Sequence, residues 1–304
     1  MTRSTDPEAA GQAVDLLHDV EDRFFSGDAE LKLTAETYNV VLDSLARSNA
    51  PGTEFQAEDL LYHMDKMADE HKDTMEGCKP DVVSFNSVLN SWARSRNPEG
   101  PKRAEAILEH MEERFRSGES TVAPDSVSYN TVMTAWARSK RSIENTERIL
   151  KKMEREYLGG NKAVEPTVIT FNIFINAIAQ SGMPGALEMS LATVEKMKSM
   201  GMENERPKCM PDCVTYSTVI GVVGKTMTQG SGGEEKAMEL LEELESLYER
   251  SRDLAYRPSM QTYTAVRCSS VAFEMNYCSP TVDCIIQSLS RQSTPLLEDE
   301  RSPS

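Results

Sequence analysis

The sequence predicts an all-α solenoid of stacked antiparallel helix-turn-helix hairpins, and two observations carry that reading. First, one phrase recurs six times: Thr37-Tyr-Asn39, Ser84-Phe-Asn86, Ser128-Tyr-Asn130, Thr170-Phe-Asn172, Thr215-Tyr-Ser217 and Thr262-Tyr-Thr264. Its last members stand 47, 44, 42, 45 and 47 residues apart. Self-similarity at such a period marks a repeat architecture. Second, a stripe of apolar or small residues at i, i+3, i+4 and i+7 precedes or separates the phrases, and that spacing is one face of an α-helix. The stripes are Ala13/Leu16/Leu17/Val20, Ala57/Leu60/Leu61/Met64, Ala104/Ile107/Leu108/Met111, Thr146/Ile149/Leu150/Met153, Ser190/Thr193/Val194/Met197 and Ala237/Leu240/Leu241/Leu244.

The recurring phrase itself opens a helix, here called helix A. In the second copy Val82, Phe85, Val88, Leu89, Trp92 and Ala93 follow a 3.6-residue period. Upstream of the later copies stands Pro80-Asp81, Pro124-Asp125, Pro166-Thr167, Pro211-Asp212 or Pro258-Ser259. A proline followed by a short oxygen-bearing side chain starts helices, because that side chain accepts from free backbone N–H groups of the first turn. The stripes form helix B. Loops rich in breakers separate the two: Ser48 to Gly52, Asn97 to Pro101, Gly159 to Asn161, Gln229 to Gly233. One hairpin cannot bury both stripes alone, whereas stacked hairpins can.

The organisation that follows is a partial repeat at 1–34 with helix B only. Five full repeats come next, 35–81, 82–125, 126–167, 168–212 and 213–259, with the start of a sixth. Together they make a solenoid over 35–264. Residues 265–304, rich in Ser, Thr, Pro and Cys, read as an irregular or disordered tail.

Composition excludes several classes. No uninterrupted apolar run approaches 18 residues, so no membrane span is expected. The visible N-terminus has neither the apolar core of a signal peptide nor the Arg-rich, acid-poor character of a transit peptide. Six cysteines are present and none forms a C-x-x-C pair; Cys209 and Cys213 have no nearby His, so neither a zinc site nor another metal or cofactor is expected. His110-Met-Glu112 imitates part of a zinc deaminase signature, but no P-C-x-x-C follows. No nucleophile elbow or phosphate loop stands out, and no catalytic residue is expected.

Val-x-Thr/Ser-Tyr/Phe-Asn, an apolar run ending in Ala-Arg-Ser, Ala-x-x-Ile/Leu-Leu-x-x-Met and then Pro-Asp together resemble the pentatricopeptide repeat. The resemblance covers about 8–264, in units of 42 to 47 residues where the family's usual unit is shorter; the excess falls mostly after helix B, as at 69–77 and 199–209. It implies a right-handed superhelical solenoid that reads single-stranded RNA at one base per repeat. The family pattern places base reading on Asn39 with Asp81, Asn86 with Asp125, Asn130 with Thr167, Asn172 with Asp212, and Ser217 with Ser259. Asn offers a donor and an acceptor to a base edge, and Asp accepts. By resemblance, Asn with Asp favours uracil and Asn with Thr reads pyrimidines more loosely, so a pyrimidine-rich, uracil-leaning site is expected. Small apolar side chains that sandwich each base fall on Val83, Val127, Ile169 and Val214, with Glu36 in the first such place. Phosphate contacts fall on Arg47, Arg94, Arg138 and Lys225, with Gln180 as the gap.

The resemblance further implies a non-catalytic, monomeric RNA-binding protein of the mitochondrion or plastid, acting in RNA processing, stability or translation. A protein-interaction scaffold with protein partners is the alternative, as is the RNA-targeting part of a larger enzyme such as a protein-only ribonuclease P. Structural readings stand beside the functional ones. The repeated Asn also suits bonding between hairpins, the cations suit helix C-terminal turns, and the valines suit a core. Trp92, Trp136 and the methionines of helix B read as packing.

Net charge is −16, which at face value opposes a polyanionic partner. Charge is unevenly spread, however. The helix A windows 35–49, 82–96, 126–141, 168–182 and 213–227 carry +5 together, which leaves −21 for the rest. With a Debye length of about 8 Å, acids on outer helices are partly screened from an inner groove.

Overall fold

The computed structural model describes residues 7–28, 31–48, 50–71, 75–139, 142–203, 207–226 and 233–271. Among them stand twelve α-helices and no strand, the all-α architecture that the two phrases predict. The chain forms two compact units, 1–174 and 175–304.

The first unit holds α1 (Pro7–Phe25), α2 (Ala35–Ser48), α3 (Thr53–Glu70), α4 (Val82–Arg94), α5 (Gly100–Arg116), α6 (Ser126–Ala137) and α7 (Ser142–Leu158). The boundary falls within α8 (Val168–Ser181). Helices α2, α4 and α6 are the A helices. Each packs against the A helix next in line, α2 on α4 and α4 on α6. The B helices α3 and α5 each touch the A helix on either side of them in sequence. This alternation is what a stack of hairpins requires, since each stripe finds two neighbours. The second unit holds α9 (Ala186–Glu203), α10 (Cys213–Thr226), α11 (Gly233–Ser251) and α12 (Met260–Val271). There the A helices α10 and α12 pack on each other, and α11 lies against both.

The helix B stripes form the core. Ala57, Leu60, Leu61 and Met64 are buried, as are Ala104, Ile107, Leu108 and Met111, and the same holds in α7, α9 and α11. Each fully buried Leu, Ile or Met contributes roughly 1.5–3 kcal/mol. The exception is α1, where Leu16 takes the place of Leu60 and is exposed; among the described residues no helix covers that side.

Two features depart from the sequence reading. Residues 69–70 and 199–203, read as loop, lengthen α3 and α9, because no proline stops α9 before Pro207. Short 3-10 turns then follow helix B at Glu76–Cys78, Lys162–Val164, Pro207–Cys209 and Leu254–Tyr256. Each ends three residues before the Asp, Thr or Ser that starts the next helix A. At the other end α12 continues to Val271, into the stretch read as an irregular tail. The rest of that expectation, 272–304, lies outside the described residues, as do Cys278, Cys284 and most of the 229–233 loop.

Buried carboxylates on the B helices tie down the aromatics of the A helices. Tyr38 donates to Glu21 at 2.6 Å and Tyr129 to Glu112 at 2.6 Å. Trp92 and Trp136 donate to Glu58 and Glu105, each at 2.9 Å. Cations meet the same carboxylates: Arg103 on Glu58, Arg148 on Glu105, Lys152 on Glu112. Glu21 and Glu112 stand seventeen residues before the tyrosines they hold, and Glu245, eighteen before Tyr263, accepts from that phenol at 3.0 Å.

Burial, and then the adjoining Glu21 or Glu112, pushes the Tyr38 and Tyr129 phenols well above their ordinary range. Above pH ~10 the unfolded chain's tyrosines lose protons that the folded chain retains, so stability falls as pH rises through that point. In urea denaturation at neutral pH, Tyr129→Phe is expected to cost about 1 kcal/mol and Glu112→Ala about 2–3 kcal/mol, since the latter strands both the phenol and Lys152. The double variant should cost less than the sum of the two.

Candidate nucleic-acid interface

Four of the A helices, α4, α6, α10 and α12, begin with the same local device. Asp81 precedes α4, and its Oδ1 accepts from the Ser84 backbone N–H at 2.8 Å. The Ser84 hydroxyl accepts in return from the Asp81 N–H at 3.1 Å. Asp125 and Ser128 repeat this box at the start of α6, at 2.9 and 3.2 Å. Asp212 with Thr215 repeats it before α10, and Ser259 with Thr262 before α12. Two orphan donors of the helix start are satisfied reciprocally.

The box reaches back to the preceding A helix. Asn39 Nδ2 donates to Asp81 Oδ1 and Oδ2 at 3.1 and 3.2 Å. Asn86 Nδ2 donates to Asp125 Oδ1 at 3.2 Å. In the second unit Ser217 meets Thr262 at 2.7 Å, and Thr262 meets Ser259 at 3.1 Å. Thus three of the predicted reading pairs are brought together, two directly and one through Thr262. In the third, Asn130 Oδ1 is buried with no hydrogen-bond partner, and Thr167 stands where Asp81 and Asp125 stand. The fourth, Asn172 with Asp212, takes one residue from each unit.

The valine ladder is exposed. Val83, Val127, Ile169 and Val214 are 56%, 54%, 61% and 57% accessible, so they are not core. The residue after each is fully buried: Ser84, Ser128, Thr170 and Thr215. The start of helix A therefore alternates sharply between an apolar side chain in solvent, a buried hydroxyl, a buried aromatic and a half-buried Asn or Ser.

The cations lie toward the other end of helix A and are only partly committed. Arg138 donates to the Ala93 carbonyl at 3.1 Å, and Lys225 to the Ala179 carbonyl at 3.4 Å. Each thus caps the C-terminal turn of the A helix before it, where carbonyls lack partners. Arg47 is held by Asp43 at 2.7 Å. Arg94 lines a cleft of about 370 Å³ with Ala50, Glu54 and Asn97. Lys225 lines the corresponding cleft in the second unit, of about 480 Å³. An arginine has five donors, so one carbonyl bond leaves Arg138 most of its capacity.

Residues 70–138 and 117–181 match the profile of the pentatricopeptide repeat domain. Over residues 70–181 the chain carries pentatricopeptide repeats. Two solved structures also resemble it: the pentatricopeptide repeat protein PPR10 in complex with an 18-nt psaJ RNA element, and a cysteine-to-serine variant of PPR10 with the same element. Each aligns at 20% identity and a TM-score of 0.44, over 98% of this chain and 41% of the other. The chain thus spans about two fifths of the solved chains it resembles. Among curated proteins none matches.

Sequence reasoning missed the partners in these repeats. It named Asn and Asp but not the hydroxyl between them, and it did not see the carbonyls that receive the cations. Spacing alone could have shown the first, since Ser or Thr stands three residues after every capping side chain. Among the described residues no three His, Cys, Asp or Glu side chains are grouped to hold a metal ion, and no helix is long and apolar enough to cross a membrane.

Asp125→Ala should destabilise the fold by about 1–2 kcal/mol in chemical denaturation, because it removes a cap. Val127→Ala should change stability by less than about 0.5 kcal/mol, as an exposed residue does; a core-sized loss would contradict the exposure.

Proposed function

We propose that the chain binds single-stranded RNA along the starts of its A helices, one nucleotide to each junction between successive repeats, with a preference for uracil. The observation that supports it most is the pairing of an exposed apolar side chain with a half-occupied amide. Asn39 and Asn86 each spend one N–H on a carboxylate and one carbonyl lone pair on a hydroxyl. One N–H and one lone pair are left, which is what a Watson–Crick edge needs. Val83 and Val127 beside them present apolar surface without another job in the fold, suited to lie against a base face. Asn130, whose carbonyl has no partner and whose paired position is Thr167, reads pyrimidines more loosely.

Arg94, Arg138 and Lys225 then meet phosphates, with Arg47 weakened by its bond to Asp43. The protein acts without catalysis of its own, in organellar RNA processing, stability or translation, where the family mostly works.

Fluorescence anisotropy with short labelled RNAs tests this. Affinity for oligo-U should exceed that for oligo-A and fall steeply with salt, as phosphate contacts require. Arg94→Glu with Arg138→Glu should weaken binding at least ~10-fold at low salt. Binding that ignores both salt and base would instead favour a protein-interaction scaffold.

A further inference from the structure

We infer that the hydroxyl at the third position of each helix A, Ser84 in α4 and Ser128 in α6, is a specificity-determining residue for the junction before it, because it fixes which way the reading amide of Asn39 or Asn86 faces. The inference rests on the RNA-binding reading above.

The geometry leaves the hydroxyl little choice. An Oγ has one proton and two lone pairs. The Asp81 N–H donates to Ser84 Oγ at 3.1 Å, which occupies a lone pair. The proton is then free to point outward. Its nearest acceptor is Asn39 Oδ1 at 2.6 Å, nearer than Asp81 Oδ1 at 3.0 Å and Met64 Sδ at 3.8 Å. Ser128 repeats the arrangement with Asn86 Oδ1 at 2.7 Å against Asp125 Oδ1 at 3.0 Å. The carboxylate on the other side of the amide can only accept, so it takes the NH2 group. Hydroxyl and carboxylate therefore agree: the carbonyl faces the serine and the NH2 faces the aspartate. A half-turn of the amide would set its carbonyl against a carboxylate.

Orientation matters because uracil and cytosine differ by an exchange of donor and acceptor. Uracil offers N3–H flanked by carbonyl oxygens, while cytosine offers a bare N3 beside an amino group. An amide free to turn suits either. An amide held in one orientation has its remaining N–H and lone pair at fixed places and prefers one of them. The third junction supplies the internal contrast. Thr167 replaces the aspartate, Thr170 donates nothing to Asn130, and Asn130 Oδ1 is left without a partner. The hydroxyl and the acid thus work as a pair. In the second unit the same reach appears as Thr262 on Ser217 at 2.7 Å, with a hydroxyl in place of the amide.

The test uses the whole chain and labelled oligo-U, beside the same strand with one cytidine moved stepwise along it. For the wild type, cytidine should be penalised at the positions facing Asn39 and Asn86 and less at the position facing Asn130. Ser84→Ala should lower the uracil-over-cytidine ratio ~5-fold at one position only, the size of one lost hydrogen bond. Ser128→Ala should do so at the neighbouring position, and Ser84→Thr should keep the wild-type ratio. A uniform loss of affinity with unchanged ratios would make the hydroxyl a helix cap and nothing more, and would overturn the inference while leaving RNA binding intact. The same holds if the ratios and affinities do not move. A wild type that binds none of these RNAs would remove both the inference and the reading beneath it. Thermal unfolding of each variant separates a lost fold from a lost preference; were Ser84→Ala unfolded, Ser128→Ala and Ser84→Thr would still decide.

Discussion

The start of a helix exposes N–H groups that nothing within the helix can satisfy. In this chain the side chain that answers them, Asp81 or Asp125, is also bonded to the Asn of the preceding A helix. One carboxylate thus terminates one repeat and registers it on the last. Everything at the candidate interface descends from that double use. It sets the phase at which the next helix begins, and so it sends Val83 and Val127 to solvent while Ser84 and Ser128 turn inward. The proline before each cap prevents the helix from starting earlier, and a 3-10 turn stands before each of these prolines except Pro124.

The acidic character of the chain looks different once its carboxylates are located. Glu58, Glu105 and Glu112 are nearly buried and hold indole, phenol and cation partners on neighbouring helices. These are packing groups of the B helices, neutralised locally, and they do not set the field at the A helix starts. The charge that matters to a polynucleotide is local, because fields beyond about 8 Å are screened at physiological salt. The cations of helix A meanwhile have a structural occupation. Arg138 and Lys225 close the carbonyl end of the neighbouring helix with part of their hydrogen-bonding capacity, and what remains faces solvent.

Much of this was legible in the sequence because its signals are local. Pro-Asp and a 3.6-residue stripe specify helix starts and buried faces without knowledge of any distant residue, and Ala57, Leu61 and Met64 are buried as their spacing requires. The Asn–Asp partnership was legible only through resemblance, since the two residues lie 42 and 39 apart and no local rule joins them. The exposure of Val83 cannot be read from periodicity, which gives a face and not its neighbour. What could not be read were second partners: the serine hydroxyl on Asn39, the glutamate on Tyr129, the carbonyl on Arg138. Each depends on how closely one repeat stacks on the next, which spacing alone does not state. The end of α9 is not marked in the sequence, since no proline stands before Pro207, and the helix runs on to Glu203.

The most direct measurement of the central claim is an NMR titration of the isotope-labelled chain with unlabelled oligo-U. The side-chain amides of Asn39 and Asn86 and the methyls of Val83 and Val127 should shift together at the same RNA concentration, while the exposed Leu158 methyls at the end of α7 stay fixed. Shifts confined to the B helices, or Asn amides that do not move while RNA binds elsewhere, would contradict the account.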